Sequence, residues 1–229
     1  MTPIKSNTPS VIEAARSPRR LNLTRRSLLV GLGASGLLAA ATLRPVGVLG
    51  REPTGNLLFD DPEIPVGGNR EGGLTIVSFS DYNCPFCRRA SGPLDDVARE
   101  DGDIRLVYKD WPILSKASVT GAIMALAAHR QDRYEVAHHA LMSLEGRADD
   151  AAMREAVASA DLDLPRLEKD VAHASVEING LLQRNFAQAD ELDLRGTPAY
   201  IVGRLLVTSA LDADGFRQVV ADARKRLDE

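Results

Sequence analysis

The chain has 229 residues, of which 44% are hydrophobic and 26% are charged. These values are ordinary for a soluble globular protein, and the length suggests one domain with room for an insertion. The formal net charge is −4, and no run of basic and aromatic residues favours a nucleic-acid partner. A chain of this length can bury a sizeable core, so its two cysteines are not needed as a structural staple.

Residues 1–41 differ in character from the rest of the chain. Six basic residues and one acid precede an uncharged, moderately apolar run, which is typical of an export signal. Arg25 and Arg26 stand directly before that run and favour a twin-arginine (Tat-like) signal over an ordinary secretory one. An uncleaved signal acting as a membrane anchor is the alternative. Residues 42–229 keep 22 basic and 31 acidic residues, so the exported protein would be acidic, with a net charge of −9.

The next part of the chain predicts two strands around a helix. Residues 42–73 are dense in turn formers, and we interpret them as a linker and an N-terminal turn-rich segment. The apolar, β-branched runs at 74–80 and 104–110 predict buried strands. Apolar spacing between them predicts a helix over 85–100.

Residues 115–192 have a different composition, rich in Ala, Leu, Arg and Glu, with apolar residues at helical spacing. We therefore expect a helical block there. Strand character returns over 197–210 as two apolar runs joined by a glycine, which predicts a hairpin. An amphipathic helix then closes the chain.

Both cysteines, Cys84 and Cys87, stand where the first predicted strand ends and the first helix begins. A helix N-terminus stabilises a thiolate, so we expect Cys84, exposed at the helix tip, to be the reactive thiol. Cys87, one turn inside, would resolve the mixed disulfide. Zinc is the main rival, but a structural site needs four ligands and the chain has no third cysteine. We therefore expect neither a metal nor another cofactor.

Residues 74–210 resemble the DsbA-like branch of the thioredoxin superfamily. The motifs that carry the resemblance are DYNCPFC, KDWPIL and GTPAYIVG. The resemblance implies an α/β thioredoxin fold formed by residues 74–114 and 193–229. Residues 115–192 would be an inserted helical domain.

The same resemblance implies roles for individual residues. A proline at a strand start is unusual, and the family's cis-proline accounts for Thr197-Pro198, which would shape a substrate groove beside the cysteines. Pro85 and Phe86 lie between the cysteines, where the family tunes its redox potential. Thioredoxins often have a buried acid six residues before the first cysteine, and here that position is Ser78.

Asp81 and Trp111 are the possible supporting residues. We interpret Asp81 mainly as a charge or cap at the helix N-terminus, with a role in the chemistry as the alternative. Trp111 is mainly a packing residue, with substrate contact as the alternative.

These patterns predict an exported, periplasmic thiol:disulfide oxidoreductase that acts as an oxidase on exported proteins with cysteines. A disulfide isomerase or a reductase would use the same chemistry, although residues 42–73 are too short for the dimerisation module that such isomerases usually add. A non-catalytic chaperone or binding module is the alternative from another class. We expect a monomer that is recycled by a membrane or soluble redox partner.

Overall fold

The computed structural model describes residues 55–227. A mixed sheet has five strands in the order β1-β3-β2-β4-β5. The strands are Val66–Gly68 (β1), Leu74–Ser80 (β2), Ile104–Asp110 (β3), Ala199–Val202 (β4) and Leu205–Val207 (β5). The described helices are Gly55–Asp60 (α1), Pro85–Asp101 (α2), Lys116–His129 (α3), Tyr134–Met142 (α4), Asp150–Ala158 (α5), Leu164–His173 (α6), Ser175–Glu191 (α7) and Ala213–Leu227 (α8).

The centre of the sheet is the parallel pair β2 and β3, in which Leu74 lies opposite Ile104 and Ser80 opposite Asp110. Every residue of these strands is buried except the second of each, which is partly exposed. Such continuous apolar runs are typical of strands that are covered on both faces. The sequence predicted both strands, and the structure confirms their bounds.

The hairpin of β4 and β5 is also confirmed, with Gly203 at φ 57° in the turn. A positive φ is accessible to glycine without a steric penalty, so this residue allows the tight connection. β4 pairs antiparallel with β2, and Ala199 lies opposite Phe79. This pairing places the segment before β4 next to the carboxyl end of β2, where the cysteines follow.

Helix α2 begins with a proline at its first position and continues through Pro93 to Asp101. Gly102, in the left-handed region, ends it by donating its N–H to the carbonyl of Ala98 at 3.1 Å. This is the usual glycine stop of a helix. α2 packs against α8 and the sheet, and its apolar face is buried.

All five helices from α3 to α7 lie between β3 and β4 in the chain, as the sequence predicted. α3 is the central one and contacts each of the other four. Nine of its residues are buried, which is why its composition is apolar around most of its circumference.

The N-terminal segment differs from the sequence-based interpretation, since residues 42–73 were expected to be linker and turns. Within the described residues this segment contains α1 and the edge strand β1, which pairs antiparallel with β3. The Val-Gly-Gly sequence of β1 has no apolar alternation, so the pattern gave no sign of a strand. Gly67 is needed because a Cβ there would come within 2.9 Å of the ring of Tyr108.

The predicted export signal, residues 1–41, lies outside the described residues. Within residues 55–227, no helix is long and apolar enough to cross a membrane.

Candidate active site

The cysteine pair lies at the N-terminus of α2, directly after β2. Cys84 is the N-cap residue, with extended backbone dihedrals (φ −82°, ψ 115°), and Pro85 occupies the first helical position. No described side chain caps this helix end. The first N–H groups of α2 are therefore left to interact with the sulfur of Cys84.

Both cysteines are free thiols, and both are buried, with 3% of Cys84 and 2% of Cys87 exposed. The expectation that Cys84 is exposed at the helix tip is therefore wrong. The loop before β4 covers it: Cys84 Sγ lies 3.2 Å from the carbonyl oxygen of Thr197, to which the thiol donates when it is protonated. That contact joins residues 113 positions apart, so the local sequence pattern contains no sign of it.

The environments of the two sulfurs shift their pKa values in opposite directions. The pKa of Cys84 is lowered, first by the hydrogen bond from Cys87 and also by the backbone N–H groups of Cys87 and Phe86, which together outweigh burial. Burial is the main cause that raises the pKa of Cys87 well above that of a free thiol. Cys84 is therefore the thiolate of the pair, and Cys87 stays protonated.

The peptide bond between Thr197 and Pro198 is cis, as the resemblance implied. Pro198 is buried, and Thr197 is partly exposed beside Cys84. Thr197 Oγ1 is buried, and the Thr197 side chain also helps to lower the pKa of Cys84. The loop therefore places both a carbonyl oxygen and a hydroxyl group close to the reactive sulfur.

Asp81 anchors the loop between β2 and α2 and does not cap the helix. Its carboxylate accepts hydrogen bonds from the N–H of Asn83 at 2.7 Å, from Ser118 Oγ at 2.7 Å and from the N–H of Leu114 at 2.9 Å. One of these bonds closes the turn on itself at Asn83, and the other two tie it to the β3–α3 loop and the start of α3. Its backbone N–H hydrogen-bonds to the sulfur of Cys87.

Trp111 is buried, with its ring edge against Phe79 at a centroid distance of 6.1 Å. Its indole Nε1 has no hydrogen-bond partner among the described residues. These contacts agree with the interpretation of Trp111 as a packing residue.

Two residues that the sequence analysis did not single out connect the cysteine turn to the inserted helices. The amide of Asn83 donates to the carbonyl of Ala148 at 3.0 Å and accepts from the N–H of Ala148 at 2.9 Å. Arg88 donates to the carbonyl oxygens of Tyr82 at 2.7 Å and of Gly146. In the sequence, only their position within and beside the cysteine motif could have marked Asn83 and Arg88 as functional residues. Their partners Ala148 and Gly146 lie about sixty residues further along the chain.

Pro85 and Phe86 are exposed between the cysteines, and 52% of Phe86 is accessible to solvent. Phe86 lines a cavity of about 740 Å³ together with Thr197 and Pro198. Pro85 lines a second cavity, of about 570 Å³, towards the loop that follows α4. The cysteine turn thus lies between two open cavities.

A small cavity of about 10 Å³ lies on the inner side of Cys87. Its volume is about that of one water molecule. Ser78, which replaces the expected buried acid, is in its wall together with Asp95 and His138. Burial lowers the pKa of His138 to about 4, so its ring is neutral at pH 7.

A buried polar cluster lies at the end of β3. The hydroxyl of Tyr134 donates to both carboxylate oxygens of Asp110, at 3.1 and 3.2 Å, and Tyr82 Oη lies 3.0 Å from His138 Nδ1. Burial raises the pKa of Asp110 to about 7. Among the described residues, no group of three or more His, Cys, Asp or Glu side chains is arranged to hold a metal ion.

The family model described as Thioredoxin matches residues 60–222. This match covers most of the chain, which therefore belongs to the thioredoxin family. The predicted thioredoxin fold with inserted helices is confirmed by the architecture and by solved structures.

Two of these structures share appreciable sequence with the chain. A thioredoxin-like oxidoreductase from Silicibacter pomeroyi DSS-3 is 38% identical, with a TM-score of 0.69 that covers 74% of this chain and 97% of that one. The thiol-disulfide exchange protein alpha-DsbA2 from Wolbachia pipientis is 26% identical, with a TM-score of 0.69 over 74% of this chain and 91% of that one.

The chain is also similar to part of a sodium/proton antiporter. The Na(+)/H(+) antiporter NhaA 1 of Mycolicibacterium gilvum (strain PYR-GCK) is 29% identical over 157 residues, which are 66% of this chain and 25% of the antiporter. The chain thus spans about a quarter of the length of that relative. The likeness concerns that part of the antiporter alone.

Proposed function

We propose that the protein is an exported thiol:disulfide oxidoreductase that introduces disulfides into exported proteins. The observation that carries this proposal is the asymmetry of the two thiols, in which Cys84 is activated at the helix N-terminus while Cys87 is kept protonated by burial. A dithiol with one low pKa has a stabilised reduced form, and its disulfide is therefore a good oxidant. The likeness to the Wolbachia thiol-disulfide exchange protein supports the same chemistry.

In the oxidising direction, a client thiolate attacks Cys84 Sγ of the disulfide, and Cys87 leaves and takes up a proton. The second client thiolate then attacks the client sulfur of the mixed disulfide, and Cys84 leaves as a thiolate. Two electrons pass from the client to the cysteine pair, and the client gains a disulfide. The low pKa of Cys84 makes it a good leaving group in this last step. A membrane or soluble redox partner then re-oxidises the pair.

The test is the oxidation of a reduced dithiol peptide by the purified protein, with glutathione disulfide as the terminal oxidant. The wild type should turn over and Cys84→Ser should be inactive. Cys87→Ser cannot form the intramolecular disulfide, so it should accumulate a mixed disulfide between Cys84 and glutathione. A reduction potential of about −120 mV would favour the oxidase, whereas a potential of about −270 mV would favour a reductase. Oxidation that is no faster with the wild type than with Cys84→Ser would contradict the proposal and would favour a non-catalytic binding module.

We further propose that the protein reaches the periplasm by Tat-dependent export and works there as a monomer. The support is the basic segment and the Arg25-Arg26 pair of residues 1–41. Replacing both arginines by lysine should block export of a fused reporter. Unchanged export of this variant, or export from a Tat-deficient strain, would contradict the Tat assignment.

A further inference from the structure

Three arginines surround the cavity of about 570 Å³ beside the cysteine turn. Arg88 and Arg89 come from the first turns of α2, and Arg147 comes from the loop between α4 and α5. Arg89 also lines the cavity of about 740 Å³ on the other side of the turn. Arginine side chains therefore line the surface on both sides of the cysteine turn.

These guanidinium groups have no carboxylate partner within ion-pair distance among the described residues. Arg88 is held by the carbonyls of Tyr82 and Gly146 and by the Asn83 side chain, all of them neutral acceptors. Arg89 lies over the ring of Phe86, 4.6 Å from its centroid, and forms no ion pair among the described residues.

Elsewhere in the described chain, arginines are commonly paired. Arg184 contacts Asp61 at 2.7 Å, and Arg224 contacts Asp101 at 2.6 Å. Residues 42–229 carry a net charge of −9, so carboxylates are not scarce. Single arginines without an ion pair also occur elsewhere among the described residues, such as Arg204, so the distinguishing feature of the cysteine face is that three of them line one cavity.

The acidic groups near this face do not cancel its charge. Glu145 is in the wall of the cavity with the arginines, and Asp212 is in the wall of the other cavity. The cavity with the three arginines thus has one carboxylate in its wall and a net positive lining, whereas Asp212 lines the other cavity together with Arg89 alone. Asp81, which is buried below Arg88, is the third acid close by, and its oxygens are occupied by three hydrogen bonds.

Exposed apolar side chains lie next to the arginines. Phe86 and Leu114 are 52% and 46% exposed, although large apolar residues are usually buried. Leu114 is in the wall of the cavity that the arginines surround. An extended peptide bound there would cover apolar surface and place its own side chains beside the guanidinium groups.

We propose that this face selects client segments in which the reacting cysteine is flanked by acidic and apolar side chains. The proposal rests on the proposed exchange function and specifies its substrate class. Arg88, held by neutral acceptors, and Arg89, over the Phe86 ring, are already positioned, so they would bind a carboxylate with little loss of side-chain freedom. Charge complementarity of this kind mainly raises the rate of productive encounter.

The test uses two reduced dithiol peptides that differ only in having two Glu or two Gln residues beside the reacting cysteine. Both also carry one leucine, and each is oxidised by the wild-type protein in its disulfide form. Acidic neighbours raise the pKa of a peptide thiol and slow it intrinsically. Each rate is therefore divided by the rate of the same peptide with a small neutral disulfide, 2-hydroxyethyl disulfide.

We expect the normalised rate of the Glu peptide to exceed that of the Gln peptide by about fivefold at low salt, as one or two exposed ion pairs would give. The preference should shrink at about 0.5 M NaCl. It should also fall to about twofold or less in the double variant Arg89→Gln/Arg147→Gln. The matched control, Arg204→Gln on the β4–β5 hairpin, should keep the preference.

Equal normalised rates in the wild type, or a preference that survives in the double variant, would overturn the proposal while leaving the exchange function intact. Failure of the wild type to oxidise either peptide would instead overturn the exchange function, and this inference with it.

Discussion

The two ends of α2 satisfy their polar groups in different ways. At the C-terminal end, Gly102 closes the helix, and Arg224 pairs with Asp101 through two hydrogen bonds of 2.6 and 2.7 Å. At the N-terminal end no described side chain caps the helix, and the N–H groups of Phe86 and Cys87 are left to the sulfur of Cys84. One end is closed by local partners and contributes stability, whereas the other keeps its donors for a charge that exists only in the reduced state.

The N-terminal end can stay open because Asp81 holds the turn from outside the helix. Two of its hydrogen bonds fix the turn to the β3–α3 loop and α3, and the third, from Asn83, holds the turn itself. A capping side chain would compete with Cys84 for the same N–H groups. The fold therefore separates the residue that positions the turn from the residue that reacts.

The largest effect that we expect is on stability, from Asp81→Ala. Three donors would lose a buried acceptor, which should lower the free energy of unfolding by about 3 kcal/mol. The matched control is Asp96→Ala on the exposed side of α2, where the carboxylate is 58% exposed and pairs only with Arg99. That change should cost no more than about 0.5 kcal/mol.

Urea unfolding of the reduced proteins measures both variants. Equal effects of Asp81→Ala and Asp96→Ala would contradict the role of Asp81 in holding the turn. Such a result would also mean that the structure of the uncapped N-terminal end of α2 does not depend on the Asp81 carboxylate.

The second prediction concerns the dependence of the reduction potential on pH. The pKa of Cys84 is lowered to about 5, so above that pH the reduced pair carries one proton, on Cys87. The potential should therefore fall by about 30 mV per pH unit above pH 5 and by about 59 mV per unit below it. A slope of about 59 mV per unit through pH 7 would mean that Cys84 is an ordinary thiol.

The lowered pKa of Cys84 also makes the stability of the reduced protein depend on pH. The pKa of Cys84 is lower in the folded protein than the free value of about 8.5, so the thiolate stabilises the reduced form fully above that pH. This contribution is lost as the pH falls to about 5. The reduced form should thus lose stability relative to the disulfide form on acidification.

Cys87→Ala tests how much the N-terminal end of α2 contributes to the lowered pKa of Cys84. It removes the hydrogen bond from the Cys87 side chain, which is the largest cause, and leaves the helix N–H groups. Thiolate absorbance should show a raised pKa for Cys84 that is still below about 8.5. A return to the free value would mean that the open helix end contributes nothing.

The parts of this molecule that the sequence predicted depend on local patterns. The strands 74–80 and 104–110 and the start of α2 follow from apolar runs, β-branched residues and a proline at the first helical position. The cysteine pair and the Thr-Pro step were identified from their motifs.

The parts that the sequence did not predict depend on contacts between distant segments. The cover over Cys84 comes from Thr197, and the partner of Asn83 is Ala148, 65 residues away. The edge strand β1 exists because β3 offers a free edge, and its own Val-Gly-Gly sequence has no strand pattern. Spacing along the chain cannot reveal which distant loop covers a side chain.

The smallest effect that we expect is at the C-terminal end of α2, from Arg224→Gln. This arginine is 38% exposed and Asp101 is 18% exposed, so solvent screens the pair, and its loss should cost no more than about 1 kcal/mol. Since the hydrogen bond from Arg224 lowers the pKa of Asp101, the contribution is present above the ordinary carboxyl pKa of about 3.9 and is lost as the pH falls through the lower folded value.

Urea unfolding at pH 7 and at acid pH measures the effect of Arg224→Gln, and Arg204→Gln on the hairpin is the control without an ion pair among the described residues. The difference between the two variants should shrink at about 0.5 M NaCl. The reduction potential of Arg224→Gln should equal that of the wild type, because this end of α2 has no contact with the cysteines. A shifted potential would show that the two ends of the helix are coupled, and the separation of stability from reactivity along α2 would then be wrong.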